Sequence, residues 1–234
     1  MTLQMSDRAS PEPKPGLIEQ IRTSSNPFVS FGRDVAWAVA VVGVIALVLF
    51  LVSGTWPAVV AIESESMVPN MNIGDLVFVA APDRFGSLQT WEDGQASGYE
   101  KYNRPGDVII YRPNGEGSVH PIIHRAMMWV EGNETVQIPL NGRTVSYTAP
   151  HEGYITRGDN NDKPDQIGIL IPSIGQFGPV KKEWVIGKAL FAIPFLGYLP
   201  LHLIETAIVL VVLMILYDLV MGAREKETSG KKRR

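Results

Sequence analysis

The chain has 234 residues, of which 45% are hydrophobic and 19% charged, and this composition is apolar for a soluble protein of its length. A net charge of −3 and the lack of a basic stripe interleaved with aromatic residues argue against nucleic acid as a partner. Cysteine is absent, which excludes disulfides, thiolate metal sites and a cysteine nucleophile. Catalysis, if present, must use serine, histidine, lysine or carboxylates.

Residues 1–34 are polar and contain several prolines, a pattern that predicts a poorly ordered tail. Residues 35–53 form an uncharged, mostly apolar run. At about 1.5 Å per residue, a helix of this length nearly crosses a hydrocarbon core of roughly 30 Å. The sequence therefore predicts a transmembrane helix, which Gly54, Trp56 and Pro57 would end. A cleaved signal peptide is the alternative, but the run is long for one and starts far from the N-terminus.

The sequence SESMVP occupies residues 64–69, and Gly74 and Asp75 follow a few residues later. A serine is a weak nucleophile unless a base removes its proton and nearby donors stabilise the oxyanion that forms on the substrate. A serine taken alone is more often a solvated loop residue. Ser66 is nevertheless the candidate nucleophile, because it lies in the pattern Ser-x-Ser-Met-x-Pro with Gly-Asp a few residues later.

Residues 54–200 contain short apolar runs separated by turn signals, which predict a mostly β domain of antiparallel sheets. Asn141 and Gly142 are typical of a hairpin turn, as are Gly132 and Asn133. Asn133 also begins a glycosylation sequon. Residues 83–105 show no clear period and are predicted to form a long surface excursion. The expected strands lie at residues 76–80, 108–111, 122–123 and beyond, 135–138, 144–147, 154–156 and 184–186.

The candidates for a general base are the four histidines, and no lysine candidate occurs in residues 102–162. They are His120, His124, His151 and His202. His202 belongs to a later apolar segment. His124 is the best candidate, since it follows an apolar pair, precedes Arg125 and lies between the serine motif and the next polar motif.

That next motif is the run TRGDNNDKPD at residues 156–165. Its density of Gly, Asn and Asp predicts a turn in any protein. A calcium loop is the alternative, but the run lacks the glycine and the distal glutamate of an EF-hand. Asp159, Asp162 and Asp165 all remain open as the partner of a catalytic histidine.

Residues 201–221 form the second long apolar run and predict a second transmembrane helix. His202, Glu205 and Asp218 lie near the ends of this run, where they would reach the membrane interfaces. Residues 222–234 are rich in lysine and arginine. By the positive-inside rule, both tails are expected in the cytoplasm and the domain of residues 54–200 on the opposite side.

These motifs resemble, in the same order, the conserved boxes of type I signal peptidases. The serine motif with Gly74 and Asp75 resembles the nucleophile box, and the pair His124 and Arg125 resembles the box of archaeal and endoplasmic-reticulum members, where bacterial members carry lysine. The run at residues 156–165 resembles the Gly-Asp-Asn box, and residues 187–190 resemble the closing box. The resemblance implies a membrane-bound serine endopeptidase that cleaves signal peptides from exported preproteins.

The resemblance also implies roles for individual residues. Ser66 would be the nucleophile, His124 the general base and Asp165 the third residue, which the family spacing favours. Ser64 would contribute to the oxyanion hole and Asp159 would organise its loop. The expected substrate-binding residues are Met67, Leu76, Val77, Phe78 and Val79.

The implied partners are preproteins that carry signal peptides, the lipid bilayer and the protein export machinery, and no metal or organic cofactor is implied. The expected location is the cell membrane, with the site on the extracytoplasmic side, or on the lumenal side of the endoplasmic reticulum in a eukaryote. The alternative function is an inactive, membrane-tethered β module that binds exported chains. A metal-binding receptor domain would need a ligand cluster that the sequence lacks.

Overall fold

The computed structural model describes residues 16, 19, 24, 26–140 and 142–231, and the chain divides into two units, residues 1–49 and 50–234. The helices of the described residues are α1 Pro27–Ser53, α2 Trp91–Ser97, α3 Asp165–Gly168, α4 Tyr198–Leu201 and α5 Leu203–Lys231. The strands are β1 Val59–Ala61, β2 Leu76–Ala80, β3 Glu100–Lys101, β4 Arg104–Pro105, β5 Val108–Tyr111, β6 Ile122–Val130, β7 Thr135–Leu140, β8 Arg143–Thr148, β9 Gly153–Arg157, β10 Leu170–Ile171, β11 Gly175–Gln176 and β12 Val185–Ile193.

Helix α1 begins at Pro27, within the stretch that was predicted to be a poorly ordered tail. The prediction is wrong for residues 27–34 because the helix has its own start signal. The Asn26 side chain accepts a hydrogen bond from the Phe28 N–H at 2.9 Å, and a proline in the first helical position loses no hydrogen bond there. The helix ends as predicted at Gly54, whose positive φ of 72° suits a residue just past a helix end.

Over the described residues, Phe28–Ser53 is the one helix that is long and apolar enough to cross a membrane. Its apolar side chains face outward, with Val39 and Val42 about two-thirds exposed (66% and 65%). Helix α5 is 29 residues long, but its strongly apolar part in the described residues is limited to Leu203–Leu213. A second membrane span is therefore not shown.

The central feature of residues 50–234 is a six-stranded antiparallel sheet in the order β1-β2-β12-β5-β6-β9. Three two-stranded pairs accompany it, β3 with β4, β7 with β8 and β10 with β11. The predicted mostly β, antiparallel architecture is confirmed. The β7-β8 hairpin turns where Gly142 has a φ of 74°, while Asn141 lies outside the described residues.

Strand β12 is much longer than the predicted residues 184–186, since it contains nine residues, and β7, β8 and β9 exceed their predicted bounds by one or two residues. Strand β12 contains Lys188, although lysine side chains are normally exposed to solvent. Here Lys188 is 3% exposed, and its ammonium group donates to the Gly86 carbonyl at 2.7 Å and lies 3.8 Å from Asp107. The buried ion pair allows a charged residue to continue a core strand.

The stretch 83–105 is more regular than predicted. It contains α2 and the β3-β4 pair. Helix α2 has a capping box, in which the Thr90 hydroxyl accepts from the Asp93 N–H and the Asp93 carboxylate accepts from the Thr90 N–H. A seven-residue helix is too short to show a hydrophobic period, so the capping box was the available signal.

The largest core cluster packs β2, β5 and β12 together with the loop after β1. Met67 and Met71 of that loop are completely buried in it. Burying a side chain of this size contributes about 1.5–3 kcal/mol. The two methionines therefore anchor the loop that carries Ser66 to the sheet.

Candidate active site

A cavity of about 550 Å3 opens beside the edge strand β1, and both Ser66 and His124 line it. Ser66 comes from the loop after β1, and His124 comes from β6. The cavity wall is mostly apolar, with Val60, Ile62 and Ile110 among its residues. The structure thus brings two of the predicted site residues to one cavity.

The half-buried Ser66 is held by the turn at residues 158–161. The Asn160 N–H donates to the Ser66 carbonyl at 2.8 Å, and the Asn160 side chain donates to the Glu65 carbonyl at 3.1 Å. The hydroxyls of Ser64 and Ser66 lie 3.2 Å apart. The predicted oxyanion donor is therefore beside the predicted nucleophile.

Gly158 permits this close approach between the turn and the serine loop. A Cβ atom at this position would come within 2.6 Å of the Ser66 carbonyl oxygen and 2.7 Å of the Asn161 amide nitrogen. We expect Gly158→Ala to displace Ser66 and to lower any catalysis that depends on Ser66 about a hundredfold, because small errors in the position of a reacting group are costly. Steady-state kinetics with Gly117→Ala as the control tests this, since a Cβ on Gly117 meets nothing within 4 Å. Unchanged activity of Gly158→Ala would contradict it.

His124 is paired with Asp165 inside the protein. The distance between His124 Nδ1 and Asp165 Oδ2 is 2.6 Å, and the two side chains are 5% and 0% exposed. A histidine whose Nδ1 donates to a carboxylate presents Nε2 as its basic nitrogen. The carboxylate of Asp165 thus fixes the orientation of the His124 imidazole.

Two further hydroxyls bond the same Asp165 oxygen, and the sequence did not indicate either. The hydroxyls of Tyr111 and Thr156 each donate to Oδ2 at 2.7 Å. Burial, followed by the charge of Asp165, raises the pKa of Tyr111 well above its ordinary value. Tyr111 ends an apolar strand, where a tyrosine is usually a core residue, so its pattern contained no signal of this contact.

Asp159 has a different partner. Arg125 donates to it through Nε at 2.8 Å and through Nη2 at 2.6 Å, and the two side chains are 0% and 2% exposed. The second terminal nitrogen of Arg125 donates to the carbonyls of Lys101 and Gly106 at 2.9 and 2.8 Å. Asp162 is exposed. Of the three aspartates that the sequence left open, Asp165 is the one in contact with His124.

The predicted substrate-binding residues are not brought to the cavity. Met67, Val77 and Val79 are at most 1% exposed and belong to the core, so they cannot touch a substrate without rearrangement. Leu76 and Phe78 are half-buried on β2 and do not line the cavity either. Strand β1 occupies the edge of the sheet beside β2, so a peptide cannot pair with that edge of β2. The cavity wall comes from β1 and the residues directly after it, together with Ile110, residues 120–124, Asn161 and Ile169.

The other histidines lie in different surroundings. His120 lines the same cavity as His124. His151 packs edge-on against Trp184 at a centroid distance of 5.4 Å, and His202 stacks on Tyr198 at 6.0 Å. Among the described residues, no group of three or more His, Asp or Glu side chains is arranged to hold a metal ion.

Comparison with known proteins indicates that the chain is related to peptidases. No family model matches the chain. It is 27% identical over 157 residues to the signal peptidase complex catalytic subunit of Schizophyllum commune. The alignment covers 64% of this chain and 66% of that protein. The corresponding subunits of Leptosphaeria maculans and Pyrenophora tritici-repentis are 28% and 29% identical over 157 residues, with 67% of this chain and 69% of each protein covered.

The chain is thus a homologue, at modest identity, of the catalytic subunits of endoplasmic-reticulum-type signal peptidases, and the predicted recognition is confirmed. The alignments span about two thirds of the length of these relatives. The relatives support a peptidase activity, which is a hydrolase activity. They do not favour the inactive module, because each is named as a catalytic subunit.

Proposed function

We propose that this protein is a membrane-bound serine endopeptidase that cleaves N-terminal signal peptides from exported preproteins. The observation that carries the proposal is the 2.6 Å contact between His124 and Asp165 at a cavity that Ser66 also lines. The homologous catalytic subunits support the choice of substrate.

The proposed reaction uses each of these residues in a defined step. The Ser66 hydroxyl attacks the carbonyl carbon of the cleavage site while His124 Nε2 takes its proton, and Asp165 stabilises the imidazolium that forms. His124 then gives the proton to the leaving amine, and an acyl-enzyme remains on Ser66. The leaving amine is the new N-terminus of the mature protein, so the acyl group on Ser66 is the signal peptide, which water activated by the same histidine then releases by hydrolysing the ester. The Ser66 N–H and the Ser64 hydroxyl are the proposed oxyanion donors.

The cavity supports an extended substrate with short apolar side chains near the cleavage site. It is lined by Val60 and Ala61 of β1 and by Ile62 and Glu63 directly after it, and β1 is an edge strand of the sheet. Edge strands offer free backbone donors and acceptors to which a peptide can add as a further strand. The apolar wall disfavours charged side chains, whose desolvation would be uncompensated.

The proposed topology is two membrane spans with both tails in the cytoplasm and residues 54–200 outside. Helix α1 is the first span. Helix α5 is the proposed second span, with the basic sequence of residues 222–234 proposed to lie in the cytoplasm. Only about ten residues separate Trp56 from Ser66. Even a fully extended segment of this length spans at most roughly 35 Å. The proposed partners are the bilayer, preproteins and the export machinery.

Cleavage of a preprotein by sealed vesicles that contain the protein tests the function and the topology together. We expect cleavage at the signal peptide junction, identified by the new N-terminus, only when the extracytoplasmic face is outward. His124→Ala is expected to lose the activity because it removes the imidazole that Asp165 orients at the cavity. His151→Ala is the matched control, since His151 packs against Trp184 and not at the cavity. An inactive His151→Ala beside an active His124→Ala would refute the assignment of the base.

A further inference from the structure

The Asp165 carboxylate receives more hydrogen bonds on one oxygen than the pairing with histidine requires. Oδ2 accepts from His124 at 2.6 Å and from the hydroxyls of Tyr111 and Thr156 at 2.7 Å each. All four side chains are buried, with at most 5% of the His124 side chain exposed. An acceptor for the imidazole alone would need only the first of these contacts.

We infer that the hydroxyls of Tyr111 and Thr156 are positioning groups that fix Asp165 and limit how strongly it favours protonated His124. The inference rests on the proposed function, because it deepens the role of the same site. Neither hydroxyl touches the reacting atoms, so both act through Asp165.

The sheet explains how both hydroxyls reach one carboxylate. Strand β6, which carries His124, lies between β5 and β9 in the sheet. Tyr111 of β5 is opposite Ile122, and Thr156 of β9 is opposite Ala126. Ile122 and Ala126 are each two residues from His124, so they project from the same face of β6. The two hydroxyls therefore flank the imidazole from the neighbouring strands, and Asp165 meets all three groups.

Each hydroxyl is itself held in place. Gln166 accepts from the Thr156 N–H at 3.0 Å and donates to the Thr156 hydroxyl at 3.2 Å. That hydroxyl has one proton, which its shorter contact directs to Asp165. The raised pKa of Tyr111 keeps the phenol protonated, so it remains a donor at every pH at which the enzyme would work.

The chemical consequence concerns the charge of Asp165. Hydrogen bonds to a carboxylate stabilise its charged form and share its negative charge among the donors. Removing one donor leaves more of that charge for the imidazole, so the protonated histidine is favoured. It also eases protonation of Asp165 itself. The active form has a neutral His124 beside a charged Asp165. Each effect protonates one of these two groups at a higher pH than in the unaltered protein.

Other titratable groups near His124 must be separated from this effect. His120 and Glu63 line the same cavity. Arg125 follows His124 on β6 and projects to the opposite face, where it is paired with Asp159. His120 is a second histidine at this cavity, so the measurement must be repeated with His120→Gln in the background.

The pH profile of kcat/KM for preprotein cleavage by the full-length, membrane-reconstituted protein tests the inference. For Tyr111→Phe we expect the acidic limb to move up by about half a pH unit and kcat to fall about tenfold, since a hydrogen bond to a charged group is lost. The shift is expected to persist in the His120→Gln background. Thr156→Val is expected to move the limb in the same direction, while Thr156→Ser, which keeps the hydroxyl, retains the original profile.

Tyr99→Phe is the matched control. The Tyr99 hydroxyl also donates at 2.7 Å to a buried carboxylate, that of Asp107, which has no part in the proposed site. Tyr99→Phe is expected to lower thermal stability about as much as Tyr111→Phe does. It is expected to leave the acidic limb of the pH profile in place. A limb unmoved in Tyr111→Phe and Thr156→Val, while the unaltered protein cleaves, overturns the inference alone. If the unaltered protein cleaves no preprotein, the proposed function fails instead.

Discussion

Ser66→Ala is expected to abolish preprotein cleavage while the protein stays folded. Removal of the hydroxyl leaves no nucleophile at the cavity, and loss of the nucleophile in enzymes of this type costs at least about 10⁴-fold in kcat. The fold is expected to survive because the contact that Ser66 provides to the turn at residues 158–161 is made by its backbone carbonyl, with the Asn160 N–H. Single-turnover cleavage and a thermal melt of the same sample give the two readouts.

Ser64→Ala provides the internal comparison. Its hydroxyl lies 3.2 Å from that of Ser66, and it is the proposed oxyanion donor. Losing one such donor costs about 10²–10³ in rate, so measurable turnover remains. Equal activity of Ser66→Ala and the unaltered protein would end the serine mechanism. Equal loss in the two serine variants would show that Ser64 does more than donate one hydrogen bond.

The sequence predicted strand bounds well where an apolar run was short and clearly delimited. The bounds of β2 and β5 agree with the prediction, since both are short apolar runs between turn signals. Prediction failed where a local rule was overridden by a distant contact. Lys188 continues β12 because Asp107, far away in the chain, compensates its charge. Such pairings depend on the fold and cannot be read from a run of residues.

The candidate site also contains features that the sequence predicted and features that it did not. His124 and Asp165 are 41 residues apart, and their pairing was predicted from the resemblance to signal peptidases, since the residues alone left three aspartates open. The order of motifs contains no information on which side chains face a cavity, and so Met67 was expected to bind substrate. Its sulfur instead accepts the Asp159 N–H at 3.4 Å inside the core. Tyr111 was missed because a buried tyrosine is usually part of a core.

The two aspartates of the turn region are expected to fail in different ways when they are changed to asparagine. Asp165→Asn keeps the shape and one acceptor oxygen for its three donors but loses the charge that stabilises the imidazolium. It also allows the wrong tautomer of His124, and this exchange in a Ser-His-Asp site costs about 10⁴-fold in kcat. Because the packing is retained, the melting temperature is expected to change little.

Asp159→Asn removes the charge that faces Arg125 in a bidentate pair at 2.8 and 2.6 Å. Arg125 is completely buried, and breaking such a pair costs about 3–5 kcal/mol because the other charge stays uncompensated. The same pair connects the turn at residues 158–161 to the stretch 99–106 through the Arg125 contacts with the Lys101 and Gly106 carbonyls. We therefore expect Asp159→Asn to lose thermal stability and activity together.

Asp162→Asn is the control for both, since Asp162 is exposed in the same turn region. It is expected to retain both activity and stability. The decisive measurement is kcat beside the melting temperature for the three variants under one condition. If Asp165→Asn cleaves normally and either of the other two is well folded and inactive, the carboxylate that serves His124 has been assigned to the wrong residue. A loss of stability in Asp165→Asn as large as in Asp159→Asn would show that the charge of Asp165 supports the fold, not the chemistry alone.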